Sequence, residues 1–249
     1  MEILDYAKKS TDIWNSLPQE MKNSLNMYFH LRPTNSGITI VSTIPLFPMR
    51  GITGIKSKSD LLKKLNDICD NINKIYSVDE KDVTGILKEI GFKKRGDDLK
   101  EDKKEGDIEE DIQALMIRSM SKDENLRIKL EAKNKIQFVA SELIFEQGKN
   151  RVDVVGFDGV DLYFFELKKG RTTLVGQVKQ YVDYYSELTN LSRLRELLKV
   201  YPINPVDRFE KIKGIMVMQY AENSTVNWSK LAKDHAIDIL FFEKSLSYR

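Results

Sequence analysis

Residues 151–168 read Arg151-Val152-Asp153-Val154-Val155-Gly156-Phe157-Asp158-Gly159-Val160-Asp161-Leu162-Tyr163-Phe164-Phe165-Glu166-Leu167-Lys168. Two runs rich in β-branched and aromatic residues flank Asp158-Gly159, a strong hairpin signal. Side chains alternate between the two faces of a strand. Arg151, Asp153 and Val155 therefore share a face of the first strand, and Leu162, Phe164, Glu166 and Lys168 share a face of the second. Two registers keep this arrangement. With Asp158-Gly159 as a two-residue loop, Asp153 lies opposite Phe164 and diagonal to Glu166. With Gly159-Val160 as the loop, Asp153 lies directly opposite Glu166. Either brings Asp153, Glu166 and Lys168 onto one face, and a one-residue bulge would undo it.

Glu-x-Lys triplets are common in a chain with 31% charged residues, and a solvated strand edge also alternates charge. Glu166, however, interrupts the apolar run of residues 162–167, where a solvated face is less natural. Two carboxylates within reach of each other raise one another's pKa or require a cation. A hard divalent ion with oxygen ligands resolves that conflict, and Mg²⁺ characteristically takes one or two carboxylates while keeping waters and phosphate oxygens. Such an ion acidifies a water and neutralises charge on a scissile phosphate. Lys168 is then placed to orient the water or to stabilise the developing charge.

The pattern Arg151-Val152-Asp153, a turn, then Glu166-Leu167-Lys168-Lys169-Gly170-Arg171 resembles the PD-(D/E)XK nuclease superfamily, and within it the NucS-type endonuclease branch. That branch has the form R-[IV]-D, then [VI]-E-[LV]-K-[KR]-G, then Q and Y on the following helix. Gln177 and Tyr181 fill the last two places, and their i, i+4 spacing puts them on one helix face. Val152 stands where the superfamily name has proline, a position that supports strand geometry and carries no chemistry.

The resemblance covers about residues 108–242. It implies an α/β, restriction-endonuclease-like αβββαβ core, a mixed central sheet flanked by helices. It also implies a Mg²⁺-dependent endonuclease, with Mn²⁺ able to substitute, that cleaves DNA to leave a 5′-phosphate and a 3′-hydroxyl. Asp153, Glu166 and the carbonyl of Leu167 would hold the metal, and Lys168 would position the attacking water. Gln177 would shape the pocket, and Tyr181 would border it or pack beside it. The family also places an acid on the first core helix. Glu109 is preferred because it lies nearest the apolar stripe of Ile112 and Met116, and Glu110 is second. Glu142 and Glu146 are alternatives, and a solvated acidic first turn accounts for the same residues.

Phosphate contacts outside the metal site are expected from Arg151, Lys169, Arg171, Lys179 and Tyr181. Arg193, Arg195 and Lys199 could extend a basic strip. Lys169 and Lys179 equally fit a solvated surface.

The chain has 249 residues and a formal net charge of +2, so no global basic field announces nucleic acid. Its hydrophobic content of 41% can fill real cores, and its length suits two domains. The single cysteine, Cys69, falls in an apolar helical stripe and reads as a packed thiol. It forbids an internal disulfide. Two histidines, His30 and His235, are too few for a zinc-site reading. The first residues lack the pattern of a signal peptide, and no apolar stretch reaches membrane-spanning length. The expectation is a cytoplasmic protein with no membrane partner.

Residues 1–95 read as a smaller α+β domain of unknown role, residues 96–107 as a charged linker, and residues 108–249 as the nuclease-like domain. In the first domain, a helix is predicted over 18–31 and a strand over 38–43. A second helix, N-capped by Ser59, carries Leu61, Leu62, Leu65 and Ile68. Ser77-Val78-Asp79-Glu80 has capping-box form and opens a third, ended by Gly91. This helix pair could be helix-turn-helix-like, although it shows no basic recognition face. The domain could read specificity, oligomerise or dock a partner.

From residue 108, a helix, strands near 136–140, 151–156 and 162–168, helices over 172–188 and 191–200, a strand over 214–220, a helix over 226–235 and a strand over 237–242 are predicted. DNA, whether single-stranded, branched or duplex, is the expected partner, and a homodimer is compatible with the sequence. Two other classes remain open at this point: a nucleic-acid-binding or assembly protein on the same fold with weak or lost catalysis, and a non-nuclease regulator whose charged strand is fortuitous.

Overall fold

A computed structural model describes residues 3–44, 49–78, 80–94, 108–144, 151–168, 176–219 and 226–242. The chain divides into two compact units, residues 1–114 with 200–203, and residues 115–199 with 204–249. The architecture is mixed α/β. Among the described residues, no helix is long and apolar enough to cross a membrane.

The first unit runs α1 (Ile3–Ser16), α2 (Gln19–Asn26), β1 (Phe29–Thr34), β2 (Gly37–Ser42), β3 (Met49–Ile55), α3 (Lys58–Ser77), α4 (Glu80–Ile90) and the two-residue β4 (Lys93–Lys94). The strands pair antiparallel in that order. Helix α1 buries Ile3, Tyr6, Ala7, Ser10, Ile13 and Trp14, an i, i+3, i+4, i+7 stripe that the sequence reading did not use. The helix predicted over 18–31 is shorter than expected. It ends at Asn26, and Phe29 already begins β1, where Phe29 and Leu31 alternate into the core opposite Ser42 and Ile40. Pro33 is tolerated because β1 lies at the end of the strand order. In β3, Gly51 has φ +92° and passes so close to the Ile40 carbonyl oxygen that a Cβ would stand 2.0 Å from it.

Helix α3 is capped by Ser57 rather than Ser59: the Ser57 hydroxyl oxygen accepts the Asp60 N–H at 3.0 Å. The helix continues to Ser77 because Ile72 and Ile75 extend the buried stripe of Leu61, Leu65 and Ile68. Ser77 consequently closes α3, its hydroxyl donating to the Lys74 carbonyl, and does not cap α4. Asp79 lies outside the described residues. Gly91 ends α4 as expected, at φ +105°. Its N–H reaches the Lys88 carbonyl and the Phe92 N–H reaches that of Leu87, the Schellman pattern. Cys69 is half-buried against this core, and burial pushes its thiol up to about 11, with the nearby Asp70 charge adding to the shift.

Helix α5 (Ile108–Ser119) spans the division between the units. The second unit then runs α6 (Glu124–Lys129), β5 (Gln137–Leu143), β6 (Val152–Phe157), β7 (Leu162–Lys168), α7 (Gly176–Ser186), α8 (Leu188–Lys199), β8 (Ile212–Gln219), α9 (Trp228–His235) and β9 (Asp238–Phe242). The sheet order is β5-β6-β7-β8-β9. The first three strands are antiparallel, whereas β7–β8 and β8–β9 are parallel. Helix α7 covers the face that carries Phe164 and Glu166. Tyr185 meets Phe164 edge-on at 5.3 Å, and Val178 and Val182 close over Gly214. The opposite face packs Phe165, Ile136 and Met120 around Gly156. Sequence had not marked α6.

Candidate active site

The β6–β7 hairpin is set by one carboxylate. Asp158 accepts the N–H groups of Lys133 (2.8 Å), Val160 (2.9 Å) and Asp161 (2.7 Å) and the Tyr163 hydroxyl (2.9 Å). Burial pushes the Asp158 carboxyl upward, but these donors more than offset that and hold it below the usual carboxylate range. The connection closes with the Asp158 N–H on the Asp161 carbonyl, and the strands pair Val154↔Phe165, Val155↔Phe164, Gly156↔Tyr163 and Phe157↔Leu162. Carried one step further, that register sets Asp153 directly opposite Glu166, the second of the two arrangements the sequence allowed. The Leu167 N–H donates to Asp153 Oδ2 at 2.9 Å and ties the carboxylate to β7.

Glu166 is 2% exposed. Its Oε1 accepts from Lys168 Nζ at 2.5 Å, while its Oε2 is buried with no donor. Burial and then the Asp153 charge push the Glu166 carboxyl up to about 7, against the pull of Lys168. Asp153 is also raised by burial. The Leu167 N–H, Lys168 and Arg151 oppose that shift, and the Glu142 charge adds to it. Gln177 Nε2 donates to the Tyr181 hydroxyl. The Tyr181 phenol is raised by burial first and by Glu166 next, so this side chain lies within the field of the carboxylates. Asp153, Glu166, Lys168, Gln177 and Tyr181 are thus brought together.

The other expected residues fall as follows. Leu167, expected to act through its carbonyl, meets Asp153 through its N–H. Arg151 Nη1 stands 3.6 Å from Glu142 Oε2. Lys179 forms a helix-surface pair with Asp183, Nζ to Oδ2 2.6 Å, as a solvated face would. Arg195 stands over the Phe209 ring, and Lys199 ends α8. Glu109 and Glu110 lie on α5, but their side chains are outside the described residues, as are Lys169, Arg171 and Glu146. Glu142, one of the alternatives for the upstream acid, neighbours Asp153 and its charge acts on that carboxyl. Ser141↔Val154 and Leu143↔Val152 bracket Glu142 opposite Asp153, in a strand whose register shifts between Phe138 and Ala140. That irregularity hides the alternation from a sequence reader.

Among the described residues, no three His, Cys, Asp or Glu side chains converge to hold a metal ion. Two opposed carboxylates, one with a buried oxygen lacking a donor, fit a hard cation that completes its shell with water and phosphate oxygens. No family model matches this chain, and neither a curated protein nor a solved structure matches it.

Proposed function

We propose that the second unit is a divalent-metal-dependent endonuclease domain acting on DNA. The observation that carries this reading is the pair Asp153 and Glu166, opposed across β6 and β7 with Lys168 at 2.5 Å from Glu166. The succession α5, α6, β5, β6, β7, α7, α8, β8, antiparallel and then parallel at β7–β8, contains the αβββαβ order of a restriction-endonuclease-like core, with α6 and α8 as additions to it.

In this reading Asp153 and Glu166 would hold Mg²⁺, or Mn²⁺ in its place. The bound ion would supply charge neutralisation on the scissile phosphate and acidify a water. The Leu167 N–H fixes Asp153 in place, so that carboxylate needs no reorganisation. Lys168, released from Glu166, would orient the water for in-line attack on phosphorus. Gln177 restrains Tyr181 at the border of the carboxylates. Arg151, at the edge of the pair, would meet the phosphate backbone.

The deciding experiment is cleavage of end-labelled single-stranded, duplex and forked DNA, and of RNA, with Mg²⁺ or Mn²⁺, comparing wild type with Asp153→Ala. Metal-dependent cleavage that disappears in the variant is the expected result. Cleavage that survives both Asp153→Ala and Glu166→Ala removes the assignment.

A second reading is favoured by the short Lys168–Glu166 contact. If that ion pair permanently satisfies the buried carboxylate, the domain is a nucleic-acid-binding or assembly module without catalysis. Binding of DNA without cleavage in any metal is its signature.

A further inference from the structure

The parallel half of the second sheet bears on which form of DNA such a site takes, a question that rests on the reading just given. β7 pairs with β8, and β8 with β9, in unbroken register. Residues level with one another on such neighbouring strands project from the same side of the sheet. Glu166 is level with Met216 and Ile239, and Lys168 with Met218 and Phe241. The face that carries the carboxylates therefore runs on to Phe241 at β9, the end strand of the order. Two strand spacings, about 10 Å, separate Lys168 from Phe241 along this row. Met218 between them is buried, whereas the Lys168 side chain is 23% exposed and Phe241 is half-buried.

Trp228, the first residue of α9, meets Phe241 edge-on, with ring centroids 5.6 Å apart and planes at 68°. An edge-on contact engages at most one face of the indole. The other face is left for a further flat partner, and Trp228 is only half-buried. Helix α9 places Trp228, Leu231, Ala232 and His235 in one stripe at helical spacing, yet none of its residues is buried. The helix also exposes Lys230 and Lys233 against one acid, Asp234. An aromatic face beside lysines suits a single strand, because the ring stacks on a base while the cations track the phosphates. In a duplex the faces of a base are taken by its stacked neighbours, so only an unpaired base can meet such a ring.

We propose that Trp228 is a stacking platform for an unpaired base of the strand whose phosphate lies at Asp153, Glu166 and Lys168. Phe241 supports the indole from the sheet. The substrate class is then single-stranded or locally unpaired DNA, in preference to intact duplex.

The test is binding of an oligothymidine to the full chain, with EDTA present to prevent cleavage. Tryptophan fluorescence should be quenched. The quench should vanish in Trp228→Phe, where the remaining tryptophan is Trp14, 5% exposed in the first core. Anisotropy of the fluorescein-labelled strand reads affinity. Trp228→Ala should weaken single-strand binding by about fivefold or more, the contribution of one stacked base, and Trp228→Phe should recover most of the loss. Binding of the same strand in duplex should not change. If Trp228→Ala fails to fold, Trp228→Leu, which keeps apolar volume and lacks a ring, takes its place. Fluorescence that ignores the oligothymidine, or an equal loss for single strand and duplex, overturns the platform. Metal-dependent cleavage that disappears in Asp153→Ala would then leave the endonuclease reading standing. Selective loss in Trp228→Ala without cleavage in Mg²⁺ or Mn²⁺ supports the platform and removes the endonuclease reading. Neither binding nor cleavage of any DNA overturns both.

Discussion

Lys168 Nζ stands 2.5 Å from Glu166 Oε1, two residues back on the same face of β7. A buried carboxylate next to a second carboxylate keeps its charge only with such a neighbour. Lys168→Met should therefore destabilise the metal-free protein at pH 8, by about 1–3 kcal/mol for a buried group left without its partner. The loss should shrink at pH 5.5, where Glu166 can protonate. Denaturant unfolding at the two pH values reads the difference. Equal losses at both would mean that the lysine stem, and not its charge, matters at this position.

Asp153 offers a cleaner separation of fold from chemistry. Its Oδ2 accepts the Leu167 N–H, and an asparagine can accept the same bond through its amide oxygen. Asp153→Asn keeps that tie and removes the repulsion on Glu166. It should fold with unchanged or higher stability while cleavage falls to background. A variant with reduced stability and intact cleavage would reverse the roles given to this residue.

Gly156 faces the opposite side of the sheet from the carboxylates and tests the packing that holds β6 in register. A Cβ there would stand 2.5 Å from Ile136 Cγ2, 3.1 Å from Met120 Sδ and 3.3 Å from the Phe165 ring. Neighbours in a packed core yield little, so Gly156→Ala should cost about 1–3 kcal/mol. Unfolding by denaturant should show a lower midpoint with an unchanged slope. An unperturbed midpoint would mean that this face is looser than the close approach of these side chains indicates.

The parts of the fold that were legible were those whose pattern matches a single period. The hairpin of β6 and β7 follows from alternation. The choice between its registers does not, because it is made by the Asp158 carboxylate gathering N–H groups from Lys133, Val160 and Asp161. The Lys133 contact is distant in sequence, and nothing local announces it. The segment 27–31 was misread as helix because Phe29 and Leu31 sit among residues with no break signal. Only pairing with β2 makes them a strand. Strand β3 carries no such pattern, since Gly51 and Gly54, both at positive φ, interrupt its alternation. At the site, Asp153, Glu166 and Lys168 were legible as a motif, whereas Glu142 was legible only as one alternative among several acids, because its place opposite Asp153 follows from a register that crosses an irregular strand.

The pH dependence of stability offers the last test, and its sign follows from Glu166. Burial and the Asp153 charge raise its carboxyl from an ordinary 4.5 to about 7. The folded protein then binds that proton more tightly than the unfolded chain does. Protonation therefore favours the fold. The contribution is complete below the unfolded value and is lost as pH rises through the folded one. Metal-free wild type should lose stability between pH 5 and pH 8, in steps of about 1.4 kcal/mol per unit of pKa displacement at most. Glu166→Gln cannot titrate and also escapes the repulsion, so it should show a flatter profile and exceed wild type at pH 8. Mg²⁺ or Mn²⁺ should raise the wild-type curve at pH 8 by binding the folded state, and should leave Glu166→Gln nearly unmoved. Melting curves at pH 5, 6.5 and 8, with and without metal, distinguish these outcomes. A wild type that gains stability with rising pH in the absence of metal would mean that Lys168 fully compensates Glu166, and the case for a cation between the carboxylates would fail with it.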